Sequence, residues 1–137
     1  MSYIFLEHTA DVKFRAEAFS LEEVFVFAAD ALNETIRGDI KILEQEEENI
    51  EISGKDLENL LYNFLEEFLI LLDSKDFLVS SVRNLTIDKD NFILKATFVG
   101  DKAENYVFTN DVKAITYNEM IIKQIDNKWV CEAVLDV

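Results

Sequence analysis

The 137 residues are the length of one domain, and a chain of that size buries enough surface to fold without disulfide or metal staples. Half of the residues are hydrophobic and 11 are Phe, which excludes a disordered chain. Twenty-eight acidic residues against 13 basic ones leave a formal charge of −15, which argues against an unaided grip on RNA or DNA and against docking on an anionic membrane.

The apolar run Tyr3 to Leu6 predicts a first strand. The alternation of Val12, Phe14, Ala16 and Ala18 within Asp11 to Ala18 predicts a second. Ser20 with Glu23 three residues on has the form of a capping box. It opens a helix whose stripe is Leu21, Val24, Phe25, Ala28 and Leu32, and Gly38 should end it. Glu44 to Glu48 reads as a solvated acidic turn, and Asn49 to Ser53 as a short strand with Ile50 and Ile52 on one face. Asp56 starts a second helix in which Leu57, Leu60, Leu61, Phe64, Leu65, Phe68, Leu69 and Leu72 keep the i, i+3, i+4 rule. Strands are expected near residues 78–88, 92–99, 113–124 and 128–137, with turn chemistry at Asp88 to Asn91 and at Asp126-Asn127. Residues 100–110 read as a surface loop with a turn of helix. The pattern predicts a single α+β domain over residues 1–137, a mostly antiparallel sheet covered by two main helices.

Cys131 is the sole cysteine and His8 the sole histidine, so an internal disulfide, a cysteine-rich zinc site and a multi-histidine centre are excluded. A reducing compartment is expected. Apolar runs fall short of a membrane span and the first residues lack the basic and long apolar regions of a signal peptide, so a cytoplasmic protein is expected. There is no Gly-rich phosphate loop, no assignable Ser/His/Asp triad and no Cys/His nucleophilic pair.

Three places stand out. His8-Thr9-Ala10-Asp11 joins two strands, either as a turn capped by Asp11 or as a carboxylate and imidazole offered at a surface site. Asp136 is followed by Val137 alone, so two carboxylates lie one residue apart and repel unless neutralised. They are either solvated acids of a frayed end or ligands of a hard cation such as calcium, magnesium or manganese, with Asp11 a third oxygen donor if it lies near. Lys113 is either an edge charge at the start of a strand or a cation offered to a phosphate or an acidic partner.

Glu7 to Val12 resembles the His-Thr-Ala-Asp signature that opens the archease family. Ser20 to Phe25 followed by Ala28 to Leu32 resembles the family's first helix, and Asp56 to Leu61 with Phe64, Leu65 and Glu67 its second. Val112-Lys113-Ala114-Ile115-Thr116-Tyr117 is similar to its Val-Lys-Ala-Val-Thr-Tyr block, and Val134 to Val137 to its closing Leu-Asp-Ile. The likeness spans the chain with its motifs in the family's order. It implies an archease-like fold and an accessory role. Archeases assist the tRNA-splicing RNA ligase that joins a 2′,3′-cyclic-phosphate or 3′-phosphate end to a 5′-hydroxyl with GTP and divalent metal. They promote guanylylation of its active-site histidine and its repeated turnover, with no accepted reaction of their own.

The same resemblance implies that the partner is that ligase, with RNA met only through it. It implies a divalent metal ion with oxygen ligands, calcium, magnesium or manganese, at Asp11, Asp136 and Val137, and parts in ligase activation for Lys113 and His8. Some positions depart from the family pattern: Asn118 stands where His is frequent, Asn63 to Glu67 replaces Asp-Trp-Leu-Asn-Glu, and Lys13 stands where Gly is common. Two alternatives remain: a metal-dependent phosphoesterase in its own right, built on Asp11 and Asp136, and a chaperone-like module using apolar helix surface.

Overall fold

Both helices start on a side chain that satisfies a free backbone amide. In the computed structural model, which describes residues 2–137, Ser20 Oγ accepts from the Glu23 amide at 3.1 Å and donates to Glu23 Oε1 at 3.0 Å. This opens helix α1 (Leu21–Arg37). Asp56 Oδ1 accepts from the Asn59 amide at 2.8 Å and opens α2 (Leu57–Lys75). Each cap stabilises its helix by about 1 kcal/mol. Gly38 ends α1 at φ +68°, and its amide returns to the Glu34 carbonyl at 2.8 Å.

The strands are β1 (Ser2–Leu6), β2 (Val12–Ala18), β3 (Glu46–Ser53), β4 (Phe77–Asp88), β5 (Ile93–Lys102), β6 (Ala114–Ile125) and β7 (Lys128–Asp136). They form two antiparallel sheets, a larger one in the order β1-β2-β7-β6 and a smaller one in the order β3-β5-β4. The expected α+β domain, antiparallel sheet under two main helices, is what forms; its strands divide into two sheets, which alternation within a strand does not reveal because it does not say which strand pairs with which.

The expected acidic turn at Glu44 to Glu48 is corrected. Glu46, Glu47 and Glu48 pair with Gly100, Val99 and Phe98, so most of that run is strand. β3 is an edge strand, and an edge strand can pair through its backbone while its charged side chains reach water. β5 correspondingly runs on through Gly100, Asp101 and Lys102, where the sequence pattern predicts loop; the turn of helix is the short 3₁₀ segment Ala103–Asn105. Gly100 is required where β5 passes β4, since a Cβ there would meet the Leu78 carbonyl oxygen at 2.0 Å. Asp101 is buried, and its carboxylate accepts from Tyr106 Oη and from the Lys102 amide, both at 2.8 Å.

α1 lies on β1, β2, β4 and β7, and α2 on β3, β4, β5 and β6, so the helices bridge the two sheets. At the centre Phe64 meets Phe25, Phe68 and Phe98 with ring centroids 5.5, 5.4 and 5.8 Å away. The Arg37 guanidinium donates to the Ile40, Val79 and Ser80 carbonyls, fastening the end of α1 to β4. Among the described residues no helix is long and apolar enough to cross a membrane.

Candidate functional site

β2 and β7 are central neighbours in the larger sheet, and their register pairs Val12 with Leu135. Asp11 directly precedes Val12 on the chain, and Asp136 directly follows Leu135. On the other side of β7, Asp136 pairs with Ala114, and its carbonyl accepts from the Lys113 amide at 2.7 Å. The chain segments carrying Asp11, Asp136 and Lys113 therefore meet at one end of one sheet. Val137 lines a shallow cavity of about 380 Å³ there with Val12, Thr35, Asn110, Asp111 and Lys113.

Asp11 and Asp136 are half-buried and form no ion pair among the described residues, nor does the exposed Lys113. No group of three Asp, Glu, His or Cys side chains gathers as a metal centre among the described residues. The donor set on offer here is the two side-chain carboxylates of Asp11 and Asp136, with Val137 beside them. Its chemistry suits a hard divalent cation and leaves most of the six to eight oxygen positions of a calcium ion to other donors.

His8 sits in the loop between β1 and β2 but turns toward β6. Its Nε2 lies 2.7 Å from Glu119 Oε2. A carboxylate only accepts, so Nε2 carries the hydrogen; Nδ1 is buried without a partner among the described residues. Lys13 Nζ reaches the other Glu119 oxygen at 3.4 Å and Glu132 at 3.5 Å. Arg15 Nε donates to Glu132 at 2.6 Å. The result is a run of polar contacts from His8 through Glu119, Lys13 and Glu132 to Arg15 across the larger sheet. The hydrogen bond from His8, and then the Lys13 ammonium, hold the Glu119 carboxyl below its ordinary range.

Sequence reasoning missed Glu119 and Glu132. Glu132 had a signal, a lone acid inside the apolar strand Trp129 to Leu135. Glu119 had none, because its position depends on a bulge: between Thr116 and Ile121, five steps along β6 match two along β7. Asn118 lies in this bulge, where its amide donates to Thr116 Oγ1 at 3.3 Å. Asp111 on the cavity rim was also missed. Cys131 is fully buried, with its thiol pushed up to about 12 by desolvation, as befits a core residue.

Residues 3–137 match the Archease protein family (MTH1598/TM1083). The chain is 40% identical to Protein archease of Sulfolobus acidocaldarius over 97% of its own length and 96% of the relative's. It is 37% identical to Protein archease of Pyrobaculum neutrophilum, over 98% and 95%. The solution structure of Methanobacterium thermoautotrophicum protein 1598 superposes with a TM-score of 0.82 at 30% identity, covering 99% of both chains. A crystal structure from Thermotoga maritima, described as an archease and possible chaperone, shares the fold with a TM-score of 0.68 at 24% identity over 96% of this chain and 94% of that one.

Proposed function

The chain belongs to the archease family, and from that premise we propose that it is a non-catalytic activator of the GTP-dependent tRNA-splicing RNA ligase that joins 3′-phosphate and 5′-hydroxyl ends. It promotes guanylylation of the ligase and lets it turn over repeatedly. The observation that supports the reading is that the chain segments carrying Asp11, Asp136 and Lys113 meet at one end of the larger sheet. Asp11, Asp136 and the Val137 carboxylate hold a divalent cation through hard oxygen donors. The ion supplies local positive charge on a body of charge −15. The donors the chain does not provide come from water, GTP phosphate or ligase. Lys113, tied by its backbone to Asp136, adds a second cation for phosphate or for a ligase carboxylate. The acidic surface suits docking beside the basic RNA channel of a ligase and keeps the activator from competing for RNA.

The test is a ligation assay with limiting ligase and excess nicked RNA. Wild type should convert a single-turnover ligase into a multiple-turnover one. Asp136→Asn and Lys113→Ala should each weaken the stimulation by about tenfold or more, the scale on which metal sites respond to lost support. Product formed without ligase would replace this reading with a phosphoesterase or similar enzyme. Absent stimulation together with protection of unrelated unfolded proteins would replace it with a chaperone-like module.

A further inference from the structure

We propose that Glu119 is the positioning residue of the Asp11 loop, one carboxylate that grips the chain on both sides of Asp11. This rests on the metal-site reading above and adds to it a residue outside the ligand set. One oxygen takes the His8 imidazole, three residues before Asp11, at 2.7 Å; the other takes the Lys13 ammonium, two residues after it, at 3.4 Å. Isolated surface ion pairs contribute little. Here the Glu119 carboxylate is 47% exposed, but its two partners are largely shielded, the His8 and Lys13 side chains being 20% and 14% exposed, and one carboxylate serves both.

The loop needs such a grip. Ala10, immediately before Asp11, stands at φ +70°, a left-handed conformation that an L side chain disfavours and that persists where its surroundings dictate it. The gripping residue is itself constrained. Glu119 stands at φ +56° at the crest of the β6 bulge, so left-handed residues lie on both sides of the contact.

The bulge is braced from behind. Tyr117 stacks on Tyr62 of α2 with centroids 4.3 Å apart and planes 5° from parallel, and its hydroxyl accepts from Asn59 Nδ2. α2 thus steadies the bulge, the bulge carries Glu119, and Glu119 sets the loop that presents Asp11. His8, whose Nε2 is committed to Glu119, serves this positioning and is not a metal ligand through that atom.

The experiment compares wild type with Glu119→Ala and Glu119→Gln as full, metal-free chains by ¹⁵N relaxation. Manganese titrations and melting curves follow on the same samples. In wild type the Ala10 and Asp11 amides should have order parameters near about 0.85; in Glu119→Ala they should drop below about 0.6 while the β7 amides stay unchanged. Glutamine keeps an acceptor for His8, so Glu119→Gln should recover much of the loop order. Manganese affinity should fall about tenfold or more in Glu119→Ala with an unchanged melting temperature. Unchanged loop order in Glu119→Ala overturns the positioning role whatever the metal does. A rigid wild-type loop that takes up no manganese overturns the metal-site reading instead, and the relaxation data still decide the part played by Glu119.

Discussion

Replacing Phe64 by Ala empties the centre of the core. The ring is fully buried and touches three other aromatic rings from α1, α2 and β5. Removing a buried Phe costs about 3–5 kcal/mol from lost transfer energy and the cavity left behind. Edge-on and tilted ring pairs carry about 0.5–1.5 kcal/mol each beyond area, which points to the upper part of that range. A loss of about 4 kcal/mol is a large share of the roughly 5–15 kcal/mol that holds a domain together. With an unfolding entropy of about 2.1 cal/mol/K per residue, it lowers Tm by about 14 °C in a chain of 137 residues. Urea and thermal unfolding followed by circular dichroism measure both quantities. Phe64 lies on α2, away from the segments that meet at Asp136, so below its new transition the variant should keep whatever ligase stimulation the proposed function gives wild type. A loss under about 1.5 kcal/mol would refute the packing argument, since it would mean that the rings around Phe64 close over the gap.

Gly100→Ala should yield little folded protein, because its Cβ would collide with β4 backbone that cannot swing aside; near-normal soluble yield and Tm would show that the strands part at small cost. Cys131 should resist thiol reagents in the native protein at pH 8 and react once the chain is unfolded in urea, since burial keeps it protonated up to about 12; rapid native labelling counts against the buried assignment. Asp101 is held below its ordinary 3.8, first by the Tyr106 hydroxyl and then by the Lys102 amide, so the stability it adds is present above that value and is lost as pH falls through the lowered one. Tyr106→Phe removes the first of these bonds, and with it the acceptor of the Leu43 amide, so it should be less stable than wild type at pH 7, with the gap narrowing on acidification. Asp30 and Glu67, raised by burial, titrate in the opposite sense, so the difference between wild type and variant is the quantity to follow, and a gap that stays constant down to pH 2 would count against the bond.

The helices were readable because their signals are local. Ser20, Gly38 and Asp56 mark their ends within four residues of the amides or carbonyls they serve, and the leucine and phenylalanine stripe of α2 needs no partner to be seen. The meeting of the segments that carry Asp11 and Asp136 was not local. It depends on pairing between strands more than a hundred residues apart, for which alternation gives no address. Likeness to the archease motifs suggested that pair, and the register of β2 on β7 sets Val12 beside Leu135, one residue from each. Glu119 escaped for a further reason: an irregular stretch of β6 moves it off the two-residue period that strand reading assumes.

The outer strand of the smaller sheet carries Glu46, Glu47, Glu48 and Glu51 on a backbone whose far side is unpaired. Two molecules approaching along that rim would bring like charges to within a few ångströms before any new ladder bond formed, so the glutamates act as a fence against strand-to-strand fusion. The strand Ser2 to Leu6, at one border of the larger sheet, has no charged side chain. Crowded molecules of this protein should therefore be shielded from one another unequally, with mild acid or high salt weakening the fenced rim and leaving the uncharged one as it was.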